Sequence, residues 1–187
     1  MEKTVRDIFA ESIIVKQATL AKNCPQIVRA AQSVLAAFKG GHKVFFFGNG
    51  GSAADSQHIA AEFIGRFQKE RKSWPAIALT TDTSILTALG NDYSFDIVFA
   101  RQLEGLGQKG DVVFAISTSG NSKNVLAGVK QAKAMGMTTI GVTGGTGGAL
   151  ACACDIVIVA ASPKTARIQE THLCVFHAIC ELVENAL

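Results

Sequence analysis

The stretch Val44-Phe45-Phe46-Phe47-Gly48-Asn49-Gly50-Gly51-Ser52 decides the fold. Its apolar run is short and continuous, the pattern of a strand buried on both faces. The glycines that follow let the backbone turn tightly, and a helix is expected from there over residues 52–67. Strand, glycine turn and helix in that order open an alternating pattern that the rest of the chain continues.

Downstream, Ala76-Ile77-Ala78-Leu79, Asp111-Val112-Val113-Phe114-Ala115-Ile116, Thr138-Thr139-Ile140-Gly141-Val142 and Asp155-Ile156-Val157-Ile158-Val159 read as four further strands. Helices are expected over residues 84–89 and 95–106, from the Ser117–Ser122 turn to about residue 135, and from about residue 165 to the end. Continuous apolar strands alternating with helices predict an α/β fold with a parallel five-stranded sheet covered on both faces. Upstream, residues 1–40 read as extra N-terminal helices in two pieces. Ile8, Phe9, Ile13 and Ile14 begin one apolar stripe, and Asn23-Cys24-Pro25 interrupts it, because proline does not suit a helix interior. Ile27, Ala31, Val34, Leu35 and Phe38 form the second stripe, which stops at Gly40-Gly41. Helices placed ahead of the first strand are expected to pack against another subunit.

The 187 residues are 48% hydrophobic, with 18 Lys+Arg against 15 Asp+Glu. Residues 1–187 therefore read as a single domain able to bury roughly 70% of its unfolded surface. Such an apolar fraction with low, mixed charge excludes disorder. A formal charge of +3 is too small and scattered to argue for nucleic acid. No run of about 18 apolar residues exists to span a membrane. Met1-Glu2-Lys3-Thr4-Val5-Arg6-Asp7 lacks a signal-peptide pattern, so a cytoplasmic location is expected. Cys24, Cys152, Cys154, Cys174 and Cys180 fit no disulfide framework and read as reduced thiols. Cys152-Ala153-Cys154 has no companion pair for a metal and reads as two small buried side chains.

Ligands of parallel α/β sheets bind beyond the carboxyl ends of the strands. Two loops there share a chemistry. Gly48-Asn49-Gly50-Gly51-Ser52 lets backbone approach a ligand, with Ser52 placed to cap the following helix. Ser117-Thr118-Ser119-Gly120-Asn121-Ser122 offers hydroxyls, backbone N–H groups and a helix dipole, an anion site without a lysine. The first lacks the third glycine of a dinucleotide fingerprint, and neither has the Gly-Lys-Ser/Thr of a Walker loop. A small phosphorylated molecule fits better.

On the helix after the first loop, Asp55, His58, Glu62 and Arg66 recur at helical spacing, opposite Ala60, Phe63, Ile64 and Phe67. His58 and Glu62, at i and i+4, meet on one face. Spacing alone leaves two readings: a divalent-metal pair or a solvated polar stripe. In the last helix Ile168, Val175, Phe176, Ile179 and Leu182 form the core stripe, and His172 falls on it as a packed histidine. Gln169 and His177 occupy another, largely apolar flank beside Leu173 and Cys180, so a helix buried on two sides at a subunit interface is expected.

The strings FFFGNGGSAADSQHIAAEFIGRF, ALTTDTSILTALGNDYSF, ISTSGNSKNV and TARIQETHLCVFH resemble those of the bacterial sedoheptulose 7-phosphate isomerase (phosphoheptose isomerase) family, whose fold is the SIS domain. The resemblance spans nearly the whole chain, and HxxxE combined with RIQExHxxxxH is its most discriminating part. It implies ketose–aldose exchange through an enediol, feeding ADP-heptose and lipopolysaccharide synthesis. Such a reaction needs a base to move a proton between C1 and C2, a partner for the hydroxyl protons, and stabilisation of developing oxyanion charge. By resemblance Glu62 is the carbon base and His177 the partner acid/base. A zinc ion would be held by His58, Glu62, Gln169 and His177. Ser117, Thr118, Ser119 and Ser122 match the phosphate loop, and Asn49, Gly50, Gly51, Ser52, Glu62, Asn91, Asp92 and Gln169 match other substrate contacts. A homotetramer with active sites between subunits is implied as well.

Gln169 and His177 stand eight residues apart, about 12 Å along a straight helix. If all four side chains serve one ion, some must come from different chains or the helix must bend. A rival resemblance is to a non-enzymatic SIS tetramer, the DnaA-binding replication-initiation regulator. That family lacks the glutamate and final histidine matched here by Glu62 and His177. An isomerase of another sugar phosphate is the second rival, and the acid-free run Gly144-Gly145-Thr146-Gly147-Gly148 is an unusual feature without an assigned role.

Overall fold

Phe45, Phe46 and Phe47 point alternately into two helical layers, so one short strand anchors both halves of the core. This computed structural model describes all 187 residues. The chain runs α1 (Glu2–Lys39), β1 (Val44–Gly48), α2 (Gly51–Ile64), β2 (Ala76–Ala78), α3 (Thr83–Asp92), a single 3-10 turn (Phe95–Ile97), α4 (Val98–Leu106), β3 (Val112–Ile116), α5 (Lys123–Ala134), β4 (Thr138–Gly144), α6 (Leu150–Ala153), β5 (Ile156–Ala160) and α7 (Thr165–Ala186). All strand pairs are parallel, in the order β2-β1-β3-β4-β5. The chain moves outward from β1 in one direction to reach β2 and in the other to reach β3. The crevice between the ends of β1 and β3 is therefore the switch point where such sheets bind ligands.

Phe46 joins Phe114, Phe63 and Phe176 in the core under α1, α2 and α7, while Phe45 and Phe47 pack under α4 and α5 with Phe99, Leu103, Val125 and Val129. Phe46 and Phe114 stack with ring centroids 5.0 Å apart. The expected parallel five-stranded α/β sheet is present, with helices on both faces. Two elements differ in detail: residues 95–106 divide into the 3-10 turn and α4, and the one-turn α6 was not anticipated.

The N-terminal segment corrects the expectation of two helices. α1 is continuous through Pro25. An interior proline costs about 3 kcal/mol in an isolated helix, but the residues around it are anchored to a distant strand. The Asn23 amide donates to the Val159 carbonyl at 3.1 Å and accepts from the Val159 N–H at 3.0 Å. Thr19 Oγ1 accepts from the Ala161 N–H at 2.9 Å. Side chains of α1 thus occupy the free backbone groups of the edge strand β5, and a break at residues 23–25 would forfeit them. α1 is also tied to α7, where Arg167 donates to the Ile8 carbonyl at 2.8 Å and Ser12 donates to Glu170 at 2.8 Å. Its other face leaves Phe9 67% and Ile14 64% exposed.

All five cysteines are free thiols. Cys152 and Cys154 are not the buried pair expected: Cys152 is exposed and Cys154 half-buried, because only Leu150 of the single turn α6 enters the core. No helix is long and apolar enough to cross a membrane.

Candidate active site

α2 and α7 lie side by side and carry the ionisable residues in matched order. Gly51 at the start of α2 faces Gln169, where an added Cβ would overlap the Gln169 amide. Two turns further along both helices, His58 meets His177, their Nε2 atoms 3.3 Å apart. Glu62, one turn beyond His58, brings Oε1 to 3.1 Å from His58 Nε2. Donor atoms of His58, Glu62 and His177 all lie within 4.8 Å of one another. His58 keeps 44% and Glu62 25% of its side chain exposed, so the cluster opens to incoming molecules. The Phe67 ring covers His177 with centroids 5.5 Å apart.

Two imidazole nitrogens facing at this distance need a proton or a cation between them, since bare lone pairs repel. Two nitrogens and a carboxylate oxygen are also the donor set of a zinc site. The residues present therefore fit a metal. Three of the four expected ligands, His58 and Glu62 of α2 and His177 of an unbroken α7, meet within one chain, while Gln169 sits about 12 Å back along α7, against Gly51. Asp55 stands one turn before His58. Burial raises its pKa, the nearby His58 partly opposes this, and its Oδ2 has no hydrogen-bond partner. Beneath the cluster, burial and the Glu62 charge push the Cys180 thiol up to about 12, leaving it protonated at neutral pH.

The two loops expected to hold the substrate meet at the switch point. Asn49 and Asn124 exchange amide hydrogen bonds of 2.8 and 2.9 Å across it, so Asn49 fixes the first loop to the start of α5. Gly50, not Ser52, is the N-cap of α2, with a φ of +57° that suits glycine. Ser52 is buried inside the first turn and does not cap it, so the first N–H groups of α2 keep no side-chain partner. In the second loop Ser117 Oγ lies 3.0 Å from Ser122 Oγ and accepts from the Gly120 N–H. Ser119 Oγ accepts from the Asn121 N–H at 3.2 Å, whereas the Thr118 hydroxyl makes no bond within the protein.

The glycine-rich run after β4 supports this loop. The Gly120 carbonyl accepts from the Leu150 N–H at 2.9 Å, and Asn121 Oδ1 accepts from the Ala149 N–H at 3.0 Å. A Cβ at Gly120 would overlap the Gly147 carbonyl, and one at Gly148 would lie 2.5 Å from the Ser119 oxygen. Only glycines let these two backbones touch. The sequence reading includes Asn121 in this loop but gives it no role of its own, although a Gly-Asn pair is a recognisable turn signal.

Asn91 and Asp92, at the end of α3, are exposed and bond only to each other, at 2.8 Å. The fold does not bring them to the cluster within this chain. His172 is fully buried, with Nε2 2.9 Å from the Thr143 carbonyl, the packed histidine its position on the stripe predicted.

The SIS domain family matches residues 9–144. A phosphoheptose isomerase of Aquifex aeolicus is 54% identical over 185 residues, covering 99% of this chain and 97% of its own length. The chain belongs to the phosphoheptose isomerases of the SIS domain family. A phosphoheptose isomerase of Roseiflexus sp. is 52% identical, covering 98% of this chain and 93% of the relative. Among solved structures, phosphoheptose isomerase GmhA from Neisseria gonorrhoeae superimposes with a TM-score of 0.93 at 44% identity, with 98% of each chain covered. A phosphoheptose isomerase from Francisella tularensis gives 0.94 at 36% identity, covering 98% and 97%. These phosphoheptose isomerases are named as enzymes, which separates this chain from the DnaA-binding resemblance.

Proposed function

We propose that this chain interconverts sedoheptulose 7-phosphate and D-glycero-D-manno-heptose 7-phosphate through an enediol, with residues 1–187 acting as one SIS domain. The observation that carries the reading is the meeting of Glu62 with His177, through His58, from helices 119 residues apart in sequence between the two histidines. In this scheme Glu62 moves the proton between C1 and C2, and His177 moves the proton between the substrate oxygens. Ser117, Thr118, Ser119 and Ser122 grip the phosphate with the open end of α5. Gln169 and the Asn49–Ser52 backbone orient the sugar between them.

His58, Glu62 and His177 would hold a zinc ion, with Gln169 as a more distant fourth group. Bound there, zinc would supply Lewis-acid polarisation of the carbonyl and the enediolate. The protein's own part is to exclude water with Phe67 and to keep carboxylate and imidazole on one side of the sugar.

The reading includes a homotetramer, with residues 1–40 as the oligomerisation segment. Its support is the exposed row Phe9, Ile13 and Ile14 on α1. Asn91 and Asp92 then serve a neighbouring subunit's site, consistent with side chains that bond only to one another. A cytoplasmic place ahead of ADP-heptose and lipopolysaccharide core synthesis completes it, with no nucleic-acid or membrane partner.

The test is incubation with sedoheptulose 7-phosphate and detection of the aldose, with added zinc and after chelation. Turnover that falls on chelation and returns with zinc is expected. Zinc-loaded protein that forms no aldose refutes the reading.

A further inference from the structure

The last carbonyls of an α-helix have no partner within it. In α2 these belong to the turn that carries Glu62, and one side chain from outside the helix takes two of them. Arg71 donates through Nη2 to the Glu62 carbonyl at 2.7 Å and through Nη1 to the Phe63 carbonyl at 2.9 Å. Nη1 also reaches the Gly65 carbonyl at 3.2 Å. Its guanidinium lies over the Trp74 ring, 3.7 Å from the centroid, and its side chain is only 11% exposed.

The remaining donor of Arg71, Nε, bonds Glu184 Oε1 at 3.0 Å. Glu184 lies on α7 seven residues, or two turns, beyond His177, and its side chain is 3% exposed. Its carboxylate also accepts from three backbone N–H groups: Phe67 at 3.2 Å, Gln68 at 2.7 Å and Lys69 at 3.0 Å. Phe67 closes the circuit, because its N–H is held by Glu184 while its ring lies on His177. One buried ion pair thus holds the main chain of Glu62, the wall of His177 and the end of α7.

We propose that Arg71 and Glu184 are positioning residues for the isomerisation, a clamp that locks α2 to α7 and fixes the distance between the Glu62 carboxylate and the His177 imidazole. This rests on the roles proposed for Glu62 and His177. Neither Arg71 nor Glu184 bonds a side chain of the cluster, so the clamp acts through backbone and through Phe67. Lysine cannot replace Arg71, because a single ammonium cannot reach Glu62, Phe63 and Glu184 in three fixed directions.

The test compares Arg71→Ala, Arg71→Lys and Glu184→Gln with the parent protein, each shown folded by circular dichroism. Trp74, the sole tryptophan, reports loss of the stacked guanidinium by its emission. In Arg71→Ala, kcat is expected to fall about 10–100-fold with KM within about threefold, and zinc affinity, read by competition with a chromophoric chelator, to weaken about tenfold or more. Arg71→Lys should recover only part of kcat. A folded Arg71→Ala protein with kcat within about twofold of the parent overturns the clamp, as does a loss confined to KM. If Arg71→Ala does not fold, Glu184→Gln decides by the same criteria. Should the parent itself fail to isomerise the sugar, the roles of Glu62 and His177 fall separately, and zinc affinity then decides: an unchanged value in the folded variant overturns the clamp.

Discussion

Mild acid should weaken this fold through one imidazole, His172. Its Nε2 faces the Thr143 carbonyl at 2.9 Å, so Nε2 carries the hydrogen and donates it. Nδ1 is then the bare nitrogen, buried and without a partner. A proton there would place a charge in the core with nothing to accept its hydrogen bond. Burial accordingly lowers the pKa from 6.5 to about 4, against the opposing pull of the Thr143 carbonyl. A depressed folded-state pKa means that the unfolded chain binds the proton first as pH falls. The stability is complete above about pH 6.5, declines below it, and is exhausted near pH 4. At about 1.4 kcal/mol per pH unit the full loss is about 3 kcal/mol per chain, and about 2 kcal/mol has gone by pH 5. His172→Gln keeps an N–H for the Thr143 oxygen and cannot titrate. Urea unfolding of parent and variant at pH 8 and pH 5, at one protein concentration and with chelator, isolates the residue as the difference between the two pH slopes. An advantage of the parent over the variant that is the same at both pH values would refute the argument.

Glu62→Gln and His177→Gln should each lower turnover at least about 10²-fold while the folding transition stays in place; an active variant at either position removes the assigned role. Gly120→Ala places a side chain at φ +69° against the Gly147 carbonyl. Left-handed backbone costs about 1–2 kcal/mol for a residue with a Cβ, and the two loops must also part. KM for the sugar phosphate is expected to rise more than kcat falls, and an unchanged KM argues against the serine loop as the phosphate grip. Gly51→Ala displaces the flexible Gln169 amide and should raise KM severalfold with little change in thermal midpoint. Unaltered kinetics would show that Gln169 does not contact the sugar.

What the sequence made legible was local. Val44 to Phe47 could be read as a buried strand because four apolar neighbours suffice to say so, and His58 with Glu62 could be paired because a helix turn brings i and i+4 together. The continuity of α1 was not legible. Asn23 and Pro25 look like a break until Val159, 136 residues later, supplies the partner. Arg71 and Glu184 carry no local pattern either: their 113-residue separation is closed only when α7 docks beside α2. The glycines at 144–148 carried no role in the sequence, because what they approach, the carbonyl side of the serine loop, is set only by the fold. His177 stood apart from the core stripe of its helix, but it gained a chemical role only by resemblance, since its spacing from Gln169 gives no hint of His58.

The contact of Asn23 and Thr19 with β5 has a consequence for how copies of this chain meet. A bare parallel edge invites a further strand, and repeated addition of strands leads to open-ended fibres. Two polar side chains from α1 act as a surrogate for that next strand, so polymerisation along the sheet is forestalled at this border. A second copy approaching from this side would meet helix surface instead of open backbone, so the segment that completes the fold also forbids the wrong kind of growth there.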